Sequence, residues 1–274
     1  MIQENKNSGN HSKEEKLKAF GRLLDIMDEL REKCPWDREQ TFESIRNNTI
    51  EETYELADAI LNKDMTNIKK ELGDLLLHIV FYSKMGSETN EFDIKDVSDA
   101  ISDKLIFRHP HVFGTTDVKN NPEIVKKNWE ELKIREGNHS VLGGVPNSLP
   151  SLIKANRIQE KARAVGFDWD EREQVWDKVE EELNELKKEI EDLDKEKMIA
   201  EFGDLFFSLV NAARLYGVDP ETALEMTNRK FIQRFNYLES KTIKQGRKLK
   251  DMTLDEMNEI WEEAKQQQTT SNNI

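Results

Sequence analysis

Glu51-Glu52-Thr53-Tyr54-Glu55 is followed by Glu71-Leu72-Gly73-Asp74, and the pattern returns as Glu181-Glu182-Leu183-Asn184-Glu185 followed by Glu201-Phe202-Gly203-Asp204. The interval from Glu52 to Glu71 is 19 residues, and so is that from Glu182 to Glu201. An acidic run on one solvated helix face is commonplace, but one written twice at one spacing marks a duplicated unit. Residues three and four apart share a helix face, so Glu52 and Glu55 project together, as do Glu71 and Asp74 one helix later. Four carboxylates from two adjacent antiparallel helices are expected to converge in each half. Like charges so close raise one another's pKa unless a cation compensates. A hard, oxygen-preferring ion is the natural occupant: Mg²⁺, with Mn²⁺ as a substitute. Gly73 and Gly203 sit inside these helices, where glycine costs about 1 kcal/mol against alanine; close helix approach beside the ligands is the expected return.

Composition bounds the rest. The chain has 274 residues, 36% apolar and 35% charged, with 12 Gly and 6 Pro, which suits amphipathic helices with wet outer faces. A formal charge of -14 argues against a nucleic-acid partner, which needs a basic footprint. It leaves room for a small anionic substrate if a cation stands between substrate and protein. The single Cys34 leaves no internal disulfide and is ordinary for a reducing compartment. The N-terminus lacks the apolar core of a signal peptide, and no apolar run of about 18 residues could span a membrane. A soluble, cytoplasmic protein with no membrane partner is expected.

The fold expected from periodicity is all-α, two tandem helical bundles related by internal duplication. Residues 1–13 form a disordered tail, 14–135 the N-terminal domain, 136–147 a linker, 148–268 the C-terminal domain, and 269–274 a frayed end. Leu17, Phe20, Leu24, Met27 and Leu30 space a first helix that Cys34-Pro35-Trp36-Asp37 stops. A second carries Ile45, Ile50, Tyr54, Ala57 and Leu61 on its apolar stripe. A third runs over about 66–85, with a loop from Gly86 to Glu91; a fourth passes through Ile94, Val97, Ile101 and Leu105, and Pro122 opens a fifth. After the glycine-rich linker the order restarts: a helix over 149–164, then Gly166-Phe167-Asp168-Trp169-Asp170 echoing Cys34–Asp37, the two acid helices at 174–192 and 197–216, and helices at 220–242 and 253–267.

The repeat extends beyond the acids. Lys104-x-x-x-Arg108 matches Lys230-x-x-x-Arg234, and Trp129-Glu130-Glu131 matches Trp261-Glu262-Glu263. Lys and Arg at (i, i+4) can clamp an anion, and a Trp late in each half could stack on a base or simply fill a core. A di-iron bundle would require Glu-x-x-His on two helices. Neither half has one, and His78 is matched by Ser208, so His78 reads as a packed histidine. With no Walker motif, no G-x-G-x-x-G and no Ser/His/Asp triad, the chemistry left is metal-assisted hydrolysis of a phosphoanhydride.

Taken together, Cys34-Pro35-Trp36-Asp37, the paired acid motifs, Arg108-His109-Pro110-His111-Val112-Phe113 and Gly166-Phe167-Asp168-Trp169 resemble the MazG family of nucleoside triphosphate pyrophosphohydrolases, in its long two-domain form. The resemblance implies Mg²⁺-dependent conversion of (d)NTP to (d)NMP and diphosphate, with broad base tolerance, in a homodimer of helical domains. It implies that Glu182, Glu185, Glu201 and Asp204 hold the metals, that Lys178, Lys230 and Arg234 contact the triphosphate, and that Trp261 lies at the nucleotide. Glu181 is the candidate to orient or deprotonate the attacking water. Members of this form hydrolyse through the C-terminal domain, and one residue agrees: Lys178 has Asn48 as its N-terminal counterpart. The first half keeps Glu51, Glu52, Glu55, Glu71 and Asp74, so a weaker or regulatory second metal site is expected there. Two other readings use the same fold: a non-catalytic nucleotide-sensing regulator, and a narrow house-cleaning enzyme for non-canonical nucleotides.

Overall fold

The computed structural model describes residues 11–118, 140–244 and 246–271, together with 121, 124, 125, 128, 129 and 132. The chain forms two compact units, Met1–Lys119 and Asn120–Ile274. Both are helical, and no strand occurs among the described residues. No helix among them is long and apolar enough to cross a membrane.

The first unit contains α1 (Lys13–Lys33), α2 (Pro35–Glu39), α3 (Phe42–Leu61), α4 (Met65–Glu88), α5 (Ile94–Arg108) and α6 (Pro110–Phe113). Ser12 and Glu15 close a reciprocal capping box at the start of α1, satisfying amides that the helix cannot. Cys34 ends α1 in an extended conformation because Pro35 follows it, and Pro35 then starts the short α2. Arg31 ties this corner together: it donates to the carbonyls of Asp37 and Gln40, and its Nε bonds Glu88 Oε1 at 2.8 Å. Met27, Ile45, Val80, Phe81 and Met85 form the core, with Phe20, Leu24 and Tyr82 against it. Full burial of a side chain such as Met27 is worth about 1.5–3 kcal/mol.

Two expectations for this unit need correction. α4 does not give way to a loop at Gly86; it continues to Glu88. Gly86 is buried under Phe92, whose carbonyl oxygen lies 2.8 Å from where a Cβ would stand, so glycine is required by contact there. On α3 the expected stripe is rotated. Ile45 is buried and Leu61 half-buried as expected, but Ile50, Tyr54 and Ala57 are exposed, and the other inward positions are Thr49, Glu52, Leu56 and Ala59. The helix has turned its acids toward α4 and left an apolar flank uncovered.

The second unit contains α7 (Ser151–Ala164), a 3-10 turn (Arg172–Gln174), α8 (Val175–Glu191), α9 (Lys195–Leu215), α10 (Pro220–Lys244), a second 3-10 turn (Leu249–Asp251) and α11 (Leu254–Ser271). α8 and α9 form a hairpin, α7 packs on α9 and α10, and α11 pairs with α10. Leu238, Met252 and Ile260 make a cluster between α10 and α11. The fully buried Thr242 donates to the Leu238 carbonyl at 2.8 Å, so its hydroxyl is not stranded. Of the expected linker, residues 140–147 are turns and bends. Residues 136–139, Glu130, Glu131, most of the helix expected from Pro122, residues 1–10 of the tail and 272–274 lie outside the described residues.

Candidate metal and nucleotide site

Each acid motif occupies a helical hairpin with a three-residue turn, and the turn is itself repeated. Lys63 (φ 55) joins α3 to α4, and Leu193 (φ 56) joins α8 to α9. Both are side chains in the left-handed region, which costs L-residues roughly 1–2 kcal/mol. Asp64 and Asp194 then cap the following helices, accepting from the Asn67 amide at 3.1 Å and the Lys197 amide at 3.2 Å. This pinned turn sets the register that brings Glu52 opposite Glu71 and Glu182 opposite Glu201.

In the first unit, Glu52, Glu55 and Glu71 each present a carboxylate oxygen within 4.8 Å of the others. In the second, Glu182, Glu201 and Asp204 do the same. Glu71 and Glu182 are buried, with 4% and 6% of their surface exposed. Burial first, then repulsion from Asp74, Glu55 and Glu71, raises the Glu52 pKa above its ordinary value. Burial, followed by Glu185, Asp204 and Glu182, raises that of Glu201. Both clusters are all-oxygen and closely spaced, with more carboxylates than the one lysine that reaches each of them. That donor set suits a hard divalent cation and lacks the imidazole or thiolate that softer metals select. Asp74 and Glu185 stand beside these triads rather than within them.

The two clusters differ in their lysines. Lys178, on the first turns of α8, places Nζ 2.7 Å from Glu182 and 3.0 Å from Glu181, and these carboxylates raise its pKa. Its first-unit counterpart is Asn48. There Lys70, whose second-unit counterpart is Ala200, reaches in from the other helix. Its Nζ lies 3.0 Å from Glu71, 3.7 Å from Asp74 and 3.9 Å from Glu55. Sequence reasoning missed Lys70, although its position four residues before Asp74 was a legible (i, i+4) pair. His78 is packed on α4, its Nδ1 buried without a hydrogen-bond partner, and burial lowers its pKa despite the charge of Asp74.

The second unit's cluster opens into a cavity of about 690 Å³, within the range of small-molecule sites. Lys178, Glu182 and Asp204 line it, as do Gln159, Trp169 and Arg214. Arg214, on α9, is held by Asp168: one contact is 3.1 Å and the second, Nη2 to Oδ1, is shorter still. Burial opposes ionisation of Asp168, but the Arg214 hydrogen bonds outweigh it, and the Asp168 pKa is lowered. The Gly166–Trp169 motif therefore serves to fix one wall of the cavity. Lys230, Arg234 and Trp261 are not among the residues lining it. Arg234 lies 5.9 Å over the Trp261 ring, and Phe231 packs 5.0 Å from the same ring. Gly73 and Gly203 fail their expected purpose within the chain, since a Cβ at either would meet nothing within 4 Å.

Comparison with known proteins agrees with this duplicated arrangement. The model of the MazG nucleotide pyrophosphohydrolase domain matches twice, at residues 40–113 and 171–238. The chain is 43% identical over 261 residues to a nucleoside triphosphate pyrophosphohydrolase of Escherichia coli strain K12, covering 92% of this chain and 99% of that protein. It is 44% identical over 251 residues to a nucleoside triphosphate pyrophosphohydrolase/pyrophosphatase MazG of Thermotoga maritima, covering 90% and 95%.

Proposed function

We propose, from the premise that this chain belongs to the MazG nucleotide pyrophosphohydrolase family, that its second unit hydrolyses nucleoside triphosphates to the monophosphate and diphosphate. The protein is a hydrolase of phosphoanhydride bonds. The observation that carries the assignment to the second unit is the meeting of Glu182, Asp204 and Lys178 on one nucleoside-sized cavity. Glu182, Glu201 and Asp204 would hold Mg²⁺, or Mn²⁺ in its place, with Glu185 beside them. When bound, the cation supplies positive charge against the triphosphate and acidifies a coordinated water.

The chain's own residues do the rest. Lys178, held ready by Glu181 and Glu182, turns to the phosphates and offsets charge that the acids alone would repel. Glu181, exposed on α8 one residue before Glu182, takes the proton of the attacking water as its oxygen bonds the α-phosphorus. The bond from that phosphorus to the bridging oxygen breaks, and diphosphate leaves. Lys230, Arg234 and Trp261 would act from the α10–α11 pair on the outer phosphates and nucleotide.

A homodimer is part of the same reading. Leu183, Phe202 and Phe206 lie uncovered on the acid hairpin, Phe206 with 58% of its surface exposed, and a Cβ at Gly203 would meet nothing within 4 Å. A second copy's helices would cover this flank. The first unit fits a weaker or regulatory metal site, because Lys70 reaches three of its carboxylates and Asn48 stands where the second unit has Lys178 to meet the phosphates. The test is product analysis with each NTP and dNTP, with Mg²⁺ and with a chelator. Monophosphate and diphosphate, lost on chelation, are expected; nucleoside diphosphate and inorganic phosphate would refute α-phosphorus attack. Rates across the eight substrates would measure base tolerance, and light scattering would read the dimer.

A further inference from the structure

Seven residues after the last acid of each motif, the two copies diverge. In the first unit that position is Phe81, 3% exposed and packed in the core with Met27, Ile45, Val80 and Met85. In the second it is Asn211, half-buried on the wall of the cavity. A core ring in one copy is a small amide bordering open space in the other. That amide is oriented. Arg214 donates to Asn211 Oδ1 from Nε at 3.1 Å and from Nη2 at 2.7 Å, and a guanidinium only donates, so the atom it meets is the oxygen. Asp168 holds the same guanidinium. Among the described residues Asn211 Nδ2 has no hydrogen-bond partner, and it is not one of the side-chain atoms sealed from solvent. It is a directed donor that a ligand in the cavity can reach.

Helix geometry separates this donor from the acids. Asn211 stands seven residues beyond Asp204 on α9, about 10 Å along the axis. The charge of Arg214 at this end is answered by Asp168, whereas Lys178 lies among the acids, 2.7 Å from Glu182. Trp176 Nε1 donates to the Tyr216 hydroxyl at 3.0 Å, which sets the start of α8 level with the end of α9. Val175, beside Trp176, and Trp169, beside Asp168, therefore line the cavity toward the Asn211 end. The separation is comparable to the reach from a nucleotide's α-phosphorus to the polar edge of its base. An end that is neutral, partly apolar and supplied with one fixed donor suits a base rather than a phosphate. We propose that it takes the nucleobase and that Asn211 Nδ2 donates to a carbonyl oxygen on it, making Asn211 a specificity-determining residue of the second unit. This rests on the pyrophosphohydrolase reading and deepens it. The donor matches the keto oxygen of uracil, thymine, guanine or hypoxanthine, and it meets the amino group of cytosine or adenine donor to donor. All remain substrates, ranked by that contact.

The experiment is steady-state kinetics on the full chain with Mg²⁺, comparing UTP with CTP and ITP with ATP, pairs that exchange a keto oxygen for an amino group. The wild type is expected to favour the keto member of each pair by roughly 3- to 10-fold in kcat/KM. Asn211→Leu should bring both ratios to near one. Asn211→Asp keeps an oxygen for Arg214 and puts an acceptor where Nδ2 stood, so it should reverse them. A wild-type ratio in either pair that is near one, or that favours the amino base, overturns the inference whether or not the variants fold, and leaves the pyrophosphohydrolase reading intact. A folded variant of either kind that keeps the wild-type ratios overturns it as well. Failure to release diphosphate from any triphosphate would instead overturn both.

Discussion

Exchanging the two lysines between the acid clusters isolates what a tethered cation does to a metal site. In the first unit Lys70 Nζ touches three carboxylates at 3.0–3.9 Å; its second-unit counterpart is Ala200, exposed on α9 immediately before Glu201. Ala200→Lys would bring the same ammonium into the second cluster. Two unit charges about 4 Å apart shift an equilibrium by roughly fivefold in a fully solvated setting, and a divalent ion squares that factor. Lys70 is 61% exposed along its side chain, so the solvated value is the appropriate one, further reduced by salt. The Mg²⁺ concentration giving half-maximal hydrolysis should rise roughly 10- to 30-fold in Ala200→Lys, with kcat recovered at saturating Mg²⁺. Reciprocally, Lys70→Ala should tighten Mn²⁺ binding at the first cluster by a similar factor, read by electron paramagnetic resonance of free Mn²⁺. An unchanged Mg²⁺ titration in a folded Ala200→Lys protein would refute the argument. So would a kcat loss that no amount of Mg²⁺ restores, because that would mean the lysine blocks substrate rather than metal.

Other outcomes follow from the same geometry. Glu182→Ala should abolish hydrolysis, whereas Glu52→Ala should leave turnover within about threefold; loss of activity in Glu52→Ala alone would place the chemistry in the wrong unit. Lys178→Met should lower kcat/KM by about 10- to 100-fold with the fold intact by circular dichroism, since a charge-assisted phosphate contact is lost. Leu193→Asn, which tolerates the left-handed turn better, should stabilise the second unit by roughly 0.5–1 kcal/mol, seen as a higher melting temperature of its transition. Asp168 has a lowered pKa in the fold, so its contribution to stability is present above the ordinary value of 3.8 and is lost as pH falls through the lower folded value. Asp168→Asn should be less stable than wild type at neutral pH, and the gap should close on acidification in that window.

What the sequence disclosed was whatever is local and repeated. The acid spacing, the helix order and the family all come from residues within one turn or one hairpin of each other, and periodicity reports those directly. What it concealed depends on which way a helix is rolled. On α3 the choice of Ile50, Tyr54 and Ala57 as the inward stripe assumed that apolar residues bury and acids do not. In the hairpin the reverse holds, because Glu52 and Glu71 must face each other to form a site. The same inversion explains Gly73 and Gly203, whose open side is invisible to a rule about close packing inside one chain.

Asn211 and Lys70 were missed for different reasons. Lys70 was within reach, one residue from Glu71 and four from Asp74, but a single lysine beside acids reads as ordinary charge pairing until its counterpart is seen to be alanine. Asn211 had no local signal: an asparagine on a helix reads as part of a wet face until Asp168 is seen to hold Arg214, 46 residues away, against it. The duplication sharpens this contrast. Where the copies agree (the acids, the left-handed turn, the capping aspartates), they describe what is needed to build a cation-binding hairpin. Where they differ (Asn48 against Lys178, Lys70 against Ala200), the first copy's lysine sits among three carboxylates of its cluster, whereas the second's lies beside Glu181 and Glu182 on the cavity wall, where a substrate's phosphates can draw it away. Divergence between the copies therefore assigns catalysis more directly than the acid motif they share.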